Sequence, residues 1–222
     1  MLDLICTFYD INELQKQSEQ LKDISWPVHY ICNWEDKDAV KKVSKTCDVE
    51  VQWLDFNPGQ HLGAFGLASA STIFTTSEYV LHFHADMIID DIQKLEDIFE
   101  DFVKSGKPVG SIPRQWCFNS DNIFLNNKAT PFRTEFFFMK SDIYKNIFNM
   151  DKYDDWLTLA IANGHPSKHF EAIIYAGLEN SGVDCINDIH YFPTVKDLKT
   201  QFNNNIIYYN TKFGDTGIWR KN

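Results

Sequence analysis

The stretch "YVLHFHADMIID", residues 79–90, combines an apolar run with His82, His84 and Asp86 at every second position. Successive side chains of a β-strand point to opposite faces, so this spacing predicts that all three side chains share one face. The residues before the histidines are apolar on both faces, which is typical of a strand covered by helices on both sides. We therefore expect an interior strand that ends at a group of potential metal ligands.

The segments before this strand alternate between strand and helix patterns. Short runs rich in β-branched and aromatic residues predict strands over 2–8, 28–32 and 49–54. Between them, Asp10 and Glu13 have the spacing of a capping box that opens a helix through about Leu21. Further helices are predicted over 36–45, 61–74 and 92–105, the last ending at Gly106.

This β-α-β-α order implies an α/β fold with a Rossmann-like, mainly parallel central sheet flanked by helices on both faces. In such sheets ligands bind beyond the carboxyl ends of the strands, so the site is expected where His84 and Asp86 end their strand.

The second half of the chain is less regular. Residues 111–135 are rich in Pro, Asn and Ser and predict a long excursion, a kind of segment that is often functional. A strand followed by a helix is predicted over 136–148, a helix from near Ser167 to Gly182, and a further strand within 183–193. The chain contains no repeat and no clear linker, which predicts a single domain over 1–222.

Composition restricts the partners and the compartment. The formal net charge is -10, and so acidic a surface repels phosphate backbones, so no nucleic-acid partner is expected. The five cysteines are scattered and form no C-x-x-C pair, which favours free thiols in a reducing cytoplasm. No apolar run approaches the roughly 20 residues of a membrane span, and the N-terminus lacks a signal-peptide pattern, so we expect a cytoplasmic protein without a transmembrane segment.

One stretch carries a family resemblance: "NPGQHLGAFGLASASTIFTTSEYVLHFHADMII", residues 57–89. Asn57 and Gly59 form an Asn-x-Gly turn, a helix rich in Gly and Ala follows, and His84-Ala85-Asp86 occupies the position of a D-x-D motif. In these features the chain resembles family-2-like nucleotide-sugar glycosyltransferases of the GT-A fold. "LICTFY" (4–9) is similar to the family's first strand, and "EAIIYAGLENSGVDC" (171–185) to its late acidic helix.

The resemblance implies a metal-dependent glycosyltransferase of the hexosyltransferase type. Such an enzyme transfers a sugar from a nucleoside-diphosphate sugar to a glycan or another hydroxyl acceptor. It also implies that about 1–112 form the nucleotide-binding half and about 113–222 the acceptor-binding, catalytic half.

A divalent cation, Mn²⁺ or Mg²⁺, would neutralise the charge that develops on the leaving diphosphate. The resemblance assigns Asp86 and His84 to this cation, with His190 as a further ligand from the C-terminal region. His84 departs from the motif, because its imidazole lacks the charge of a carboxylate and could instead bind a ribose hydroxyl. Asp86 is therefore expected to be the main ligand.

The resemblance also implies a general base that deprotonates the acceptor hydroxyl. Glu171 occupies the matching position in the late helix, and Asp154 and Asp155 are alternatives. The nucleotide is expected at the ends of the first two strands and at the turn and motif described above, with the binding residues Thr7, Tyr9, Asn33, Glu35, Asp36, Asn57, Gly59 and His84. For Asp36, a helix-capping role is an equal alternative.

Two other functions are open at this point. His82 to Asp86 also match the first five positions of H-x-H-x-D-H, the dinuclear zinc motif of metallo-β-lactamase-like hydrolases, although the sixth position is Met87. A hydrolase would need His82 as a ligand, whereas a histidine this deep in a strand is more typical of the core. The third possibility is a non-catalytic module that binds a nucleotide sugar without turning it over.

Overall fold

The computed structural model describes residues 1–8, 11–33, 36–85, 87–89, 91–113, 132–164, 170–192, 206–211 and 214–221, the last two ranges by their backbone. The strands are β1 (Leu2–Phe8), β2 (Val28–Cys32), β3 (Val51–Trp53), β4 (Tyr79–His84), β5 (Met87–Ile89), β6 (Val109–Pro113), β7 (Phe132–Lys140), β8 (Ile189–Tyr191), β9 (Ile206–Thr211) and β10 (Gly214–Lys221). The α-helices are α1 (Asn12–Leu21), α2 (Lys37–Cys47), α3 (Gln60–Ser71), α4 (Ile92–Ser105), α5 (Ser141–Ile147), α6 (Tyr153–Ala162) and α7 (Phe170–Asn180).

Seven strands form the central sheet in the order β3-β2-β1-β4-β7-β6-β8. β1 pairs in parallel with both β2 and β4, and β6 pairs in parallel with β8. Only β7 in this sheet runs antiparallel to its neighbours β4 and β6. The predicted α/β architecture with a mainly parallel sheet is confirmed, and β4 is the interior strand that its sequence predicted.

Helices cover both faces of the sheet because the strand side chains alternate between two apolar clusters. Leu4 and Leu81 belong to the cluster that α1, α2 and α4 cover, whereas Ile5 and Val80 belong to the cluster under α3, α5, α6 and α7. We call these the α4 face and the α7 face. This division decides which side chains of neighbouring strands can meet.

The chain leaves the central sheet directly after β4. β4 ends at His84, and Met87–Ile89 belong to a second sheet of order β5-β10-β9, in which β5 pairs antiparallel with β10. A shared strand face is therefore established for His82 and His84 alone, and Asp86 lies outside the described residues. The pairing partner of β5 comes from the far end of the sequence, which no local pattern indicates.

Some local details differ from the sequence predictions. The N-cap residue of α1 is Ile11, which makes no side-chain cap, and Asp10, the predicted cap, lies outside the described residues. The ends of the predicted excursion are strands, since residues 111–113 belong to β6 and 132–135 to β7. Helix α6 and the hairpin of β9 and β10 were not predicted. Within the described ranges, no helix has the length and apolarity that crossing a bilayer requires.

Candidate functional site

The carboxyl ends of β1, β2 and β4 bring several of the predicted site residues together. Thr7 pairs with Ile31 on one side and with His84 on the other. The Ala85 backbone N–H also donates to the Thr7 carbonyl oxygen at 3.0 Å, which ties the chain after β4 to the end of β1. Thr7 and His84 therefore lie next to each other at the carboxyl ends of the parallel strands, where an α/β protein opens its ligand cleft.

Two asparagines continue this edge toward α3. The buried Asn33 side chain donates from Nδ2 to the Phe56 carbonyl at 3.3 Å, and Asn57 Nδ2 donates to the Asn33 carbonyl at 3.4 Å. A Cβ atom on Gly63 would lie 3.1 Å from Asn57 Oδ1 and 3.3 Å from Asn33 Nδ2. The glycine thus lets the first turn of α3 lie directly against both amides.

Gly59 gives the Asn-x-Gly turn its shape. Its φ of 109° lies where side-chain-bearing residues are strained, and it is the N-cap residue of α3. The Gly59 carbonyl accepts the Gly63 N–H at 2.7 Å, so the turn leads directly into the helix. Asn57, Gly59 and Asn33 therefore surround the start of α3.

Helix α7 begins beside the first turn of α3. The Phe170 backbone N–H donates to His61 Nδ1 at 3.3 Å, which joins the first turns of α7 and α3. Glu171 is the next residue and its side chain is half-buried. Asp154 and Asp155 lie in the first turn of α6 with exposed side chains. Of the three predicted bases, Glu171 is the one whose neighbouring backbone contacts the start of α3.

His82 lies inside the core, as predicted. It is 1 % exposed, and its ring lies between Thr7 Oγ1, 3.2 Å from Nε2, and the Tyr144 hydroxyl, 2.8 Å from Nδ1. Burial, and to a smaller extent the nearby His84, lowers the pKa of His82 well below its usual value, so the ring is neutral at pH 7. Because both ring nitrogens already have partners, the first ligand of an H-x-H-x-D-H zinc site is not available.

His84 is the half-buried residue at the end of β4. Its ring centroid lies 6.0 Å from that of His82, on the same α7 face. The two histidines of one strand therefore have different surroundings: His82 is enclosed and His84 reaches the edge of the sheet.

The structure adds two charged residues that were not predicted, Arg133 and Glu135 near the start of β7. Arg133 Nη1 lies 3.7 Å from Glu135 Oε1, and Glu135 is 7 % exposed. β7 pairs with β4 up to Phe136, which lies opposite Phe83. A sequence signal existed, because Arg133, Glu135 and Phe137 have period-two spacing, but the strand was predicted to begin only at Phe136.

The structure does not bring His190 together with His84. His190 pairs with Gly110, which pairs with Phe138, and Phe138 lies opposite Leu81. His190 is thus level with the middle of β4 and three strand spacings away, about 14 Å.

The orientation of His190 is also different. Its Nε2 lies 2.6 Å from Asp101 Oδ2 of α4, so the ring points to the α4 face, opposite the face of His84.

The remaining predicted residues divide into two groups. Asp36 caps α2, since its Oδ1 accepts from the backbone N–H groups of Asp38 and Ala39, both at 3.0 Å. Tyr9, Glu35 and Asp86 lie outside the described residues. Within the described part of the chain, no three His, Cys, Asp or Glu side chains form a group able to hold a metal ion. A divalent cation held by three such side chains would therefore need at least one ligand from outside the described ranges.

Comparisons with known proteins identify the fold. No protein-family model matches the sequence, and no curated protein is similar to it in sequence. An active-site mutant of LgtC, a GT-A-type glycosyltransferase, is similar in structure with a TM-score of 0.55 and 10% identity over 87% of this chain and 73% of LgtC. A protein assigned as a glucose-1-phosphate thymidylyltransferase from Bacillus anthracis, in complex with sucrose, matches with a TM-score of 0.52 and 11% identity over 86% of both chains.

A third similar structure is that of the glycosyltransferase GlyE from Streptococcus pneumoniae. It matches with a TM-score of 0.51 and 9% identity over 89% of this chain and 46% of GlyE, so this chain spans about half the length of GlyE. Identities this low relate folds and carry no site residue from one protein to another. The chain has the GT-A-type α/β fold that these glycosyltransferases and nucleotidyltransferases share.

Proposed function

We propose that this protein is a glycosyltransferase that transfers a sugar from a nucleoside-diphosphate sugar to a hydroxyl acceptor with the help of a divalent cation. The observation that supports this most is the group of polar residues at the carboxyl ends of β1, β2 and β4, in a GT-A-type fold. Thr7, Asn33 and Asn57 are joined there by strand pairing or side-chain hydrogen bonds, next to His84. Hydroxyl and amide groups of this kind suit the base and ribose of a nucleotide.

The diphosphate is proposed to lie between the start of α3 and the end of β4. The N-terminal backbone N–H groups of a helix attract negative charge, and α3 begins at Gln60, directly after the Asn57–Gly59 turn. Mn²⁺ or Mg²⁺ bound through Asp86 and His84 would neutralise the departing diphosphate. An ionised carboxylate attracts such a hard cation more strongly than an imidazole does, so Asp86 has the larger assigned role.

Glu171 is the proposed general base, and Asp154 and Asp155 remain alternatives. The contact between Phe170 and His61 supports Glu171, because it holds the first turn of α7 against the first turn of α3. A base on the acceptor side of the sugar would receive the hydroxyl proton as the new glycosidic bond forms. Glu171→Gln should lower kcat by roughly 100-fold or more with the donor Kd unchanged, whereas the corresponding Asp154→Asn and Asp155→Asn changes should not.

The proposal also covers the remaining finer points of the sequence prediction. It includes a hexosyl donor, a glycan or similar acceptor, and the nucleotide contacts of Tyr9, Glu35 and Asp36. It includes a cytoplasmic location, which rests on the scattered cysteines without a C-x-x-C pair. A crystal structure with a nucleoside diphosphate tests the contacts directly: a nucleotide that touches none of Thr7, Asn33 and the residues just named contradicts the base pocket.

The activity is tested with a panel of nucleoside-diphosphate sugars, each with and without Mn²⁺. We expect one donor to raise the thermal unfolding midpoint in a Mn²⁺-dependent manner and to be hydrolysed slowly without an acceptor. Asp86→Asn keeps the shape and removes the charge, so it should abolish metal-dependent hydrolysis, and His84→Ala should reduce it less. Asp97→Asn, an exposed carboxylate of α4, is the matched control.

The products separate the alternatives. Release of a nucleoside diphosphate identifies glycosyl transfer or donor hydrolysis, whereas formation of pyrophosphate from a nucleoside triphosphate and a sugar phosphate identifies nucleotidyl transfer. Donor binding without any turnover identifies a non-catalytic module. Asp86→Asn with wild-type hydrolysis at limiting Mn²⁺ contradicts the metal assignment.

A further inference from the structure

The site as assigned above has one chemical weakness, the histidine at position 84. Mn²⁺ and Mg²⁺ are hard cations that prefer oxygen ligands, and charged carboxylates bind them best. A D-x-D motif supplies two carboxylates, whereas His84-Ala85-Asp86 supplies one. A second carboxylate near His84 would restore the negative charge, so the neighbouring strands are the place to search.

Strand β7 carries such a carboxylate at the matching position. The antiparallel register pairs Leu81 with Phe138 and Phe83 with Phe136, so one further step places Glu135 opposite His84. Residues directly opposite each other in an antiparallel pair have Cβ atoms about 4.5–5.5 Å apart. A carboxylate and an imidazole at that separation can bind one cation together.

The two side chains also share a face. The rings of His82 and Phe137 stack with centroids 5.0 Å apart on the α7 face. Period-two alternation places His84, two residues after His82, and Glu135, two residues before Phe137, on that same face. Face and register thus agree, and both direct Glu135 to the side of His84.

Burial and charge distinguish Glu135 from an ordinary surface carboxylate. Only 7 % of the residue is exposed, and burial of a carboxylate is costly unless cations or donors compensate it. Arg133 Nη1 approaches Glu135 Oε1 at 3.7 Å, longer than the about 2.7–2.9 Å of a charge-assisted hydrogen bond. A divalent cation beside this carboxylate would add to the compensation of its buried charge.

We propose that Glu135 supplies, from the neighbouring strand, the carboxylate that position 84 lacks, and that Glu135 and His84 both bind the divalent cation. This inference rests on the proposed function and deepens it. In this arrangement β4 and β7 both contribute to the metal site, and the carboxylate that a D-x-D motif has at position 84 comes from β7. The alternative role for Glu135 is purely structural, as the ion-pair partner that orders Arg133.

The test measures Mn²⁺ binding to the full chain by isothermal titration calorimetry and by the electron paramagnetic resonance of free Mn²⁺, without any turnover. Loss of outer contacts alone weakens metal sites by about 10–100-fold, so Glu135→Gln should weaken Mn²⁺ binding at least about tenfold. Glu100→Gln, an exposed carboxylate of α4 that pairs with Lys104, should leave the Mn²⁺ Kd unchanged. Circular dichroism and the thermal midpoint report on folding in every variant.

The decisive variant is the double substitution His84→Asp with Glu135→Gln. It returns a carboxylate to position 84, so it should recover most of the Mn²⁺ affinity that Glu135→Gln loses. A structural role for Glu135 predicts no such recovery, because an aspartate at position 84 does not restore the partner of Arg133. Glu135→Asp, which keeps the charge, is the second variant and should bind Mn²⁺ more tightly than Glu135→Gln even if the glutamine variant folds poorly.

The outcomes separate this inference from the function on which it rests. Wild-type Mn²⁺ affinity in Glu135→Gln, or no recovery in the double variant, overturns the role of Glu135 while donor binding and Asp86 dependence still support the transferase. A wild-type chain that binds no Mn²⁺ overturns the inference together with the metal-assisted part of the proposed function. Nucleotide-sugar binding without Mn²⁺ would then still support the donor assignment.

Discussion

Removal of one hydroxyl group, in Tyr144→Phe, should destabilise the core beneath the site. The Tyr144 hydroxyl lies 2.8 Å from His82 Nδ1 and 2.7 Å from Ser71 Oγ, and His82 Nε2 continues the chain to Thr7 Oγ1 at 3.2 Å. Tyr144, Ser71 and His82 are almost completely buried. The four side chains therefore form a hydrogen-bonded chain from the core to the end of β1.

The size of the effect follows from what each partner retains. In the variant, Ser71 Oγ still donates to the Ala68 carbonyl at 2.6 Å, so the loss of its bond to the Tyr144 hydroxyl costs little free energy. His82 Nδ1 loses its partner in an environment that water does not reach, and an unsatisfied buried polar atom costs about 1–3 kcal/mol. Phenylalanine fills the same volume apart from the hydroxyl, so no cavity adds to this cost. We expect the free energy of unfolding to fall by about 1–3 kcal/mol.

Urea unfolding followed by circular dichroism measures this difference, with the m-value as a check that the unfolded state is unchanged. Tyr153→Phe is the matched control, because the half-buried Tyr153 ring packs on Phe65 and its hydroxyl bonds to no described residue. The control should stay within about 0.5 kcal/mol of the wild type. If Tyr144→Phe is as stable as Tyr153→Phe, the hydrogen bonds of the Tyr144 hydroxyl do not stabilise the fold.

Three further changes test other parts of the structure. Gly110→Ala would place a Cβ 2.6 Å from Cδ2 of the buried Phe102 ring, so overpacking should lower the free energy of unfolding by about 1–3 kcal/mol. Urea unfolding measures this change, and unchanged stability would contradict the close approach of α4 to β6. Gln17→Leu removes the buried amide that donates to the carbonyls of Ala85 and Met87, so the free energy of unfolding should fall by about 1–3 kcal/mol. Gln15→Leu, on the exposed side of α1, should change it little, and equal stabilities of the two variants would refute the assigned contacts. Burial lowers the pKa of His29 below its unfolded value of 6.5, so the unfolded chain takes up this proton at a higher pH than the folded chain does. Stability should therefore fall as pH drops below about 6.5, and His29→Asn should show a smaller fall in its urea midpoint.

The parts of the fold that sequence predicted are those that local patterns determine. β1 and β2 were predicted with their observed bounds because each is a short apolar run between polar turns. The stripe of α4 and its end at Gly106, whose φ is 68°, were also local signals. Helix α6 was missed because its first turn carries Asp154 and Asp155, which were considered as catalytic residues and not as the acidic start of a helix.

The site depends on non-local information and was predicted only in part. Thr7, Asn33 and His84 were placed together because parallel strands end at one edge, which is a rule of the architecture. The position of His190 depends on the sheet order and on the strand face, and neither can be read from the segment around it. Glu135 was missed because the strand was predicted to begin at Phe136, and its position beside β4 became visible only from the antiparallel pairing of β7 with β4.

Two histidines near a carboxylate now have different interpretations, and position in the sheet is the reason. His190 and Asp101 join β8, the last strand of the described central sheet, to α4, level with the middle of β4. Their short contact therefore fixes a helix to this strand. His84 lies at the carboxyl end of β4, where the chain leaves the central sheet and a ligand can approach.

The same reasoning separates His82 from His84, although the two share a strand and a face. His82 lies two residues deeper in the strand, between Thr7 and Tyr144, and burial lowers its pKa and keeps it neutral. Both its ring nitrogens have partners, so it is a poor candidate as a metal ligand. His84 is half-buried at the carboxyl end of β4, where Thr7 of β1 is its paired neighbour. Depth in the strand therefore separates two histidines that the H-x-H-x-D motif alone does not distinguish.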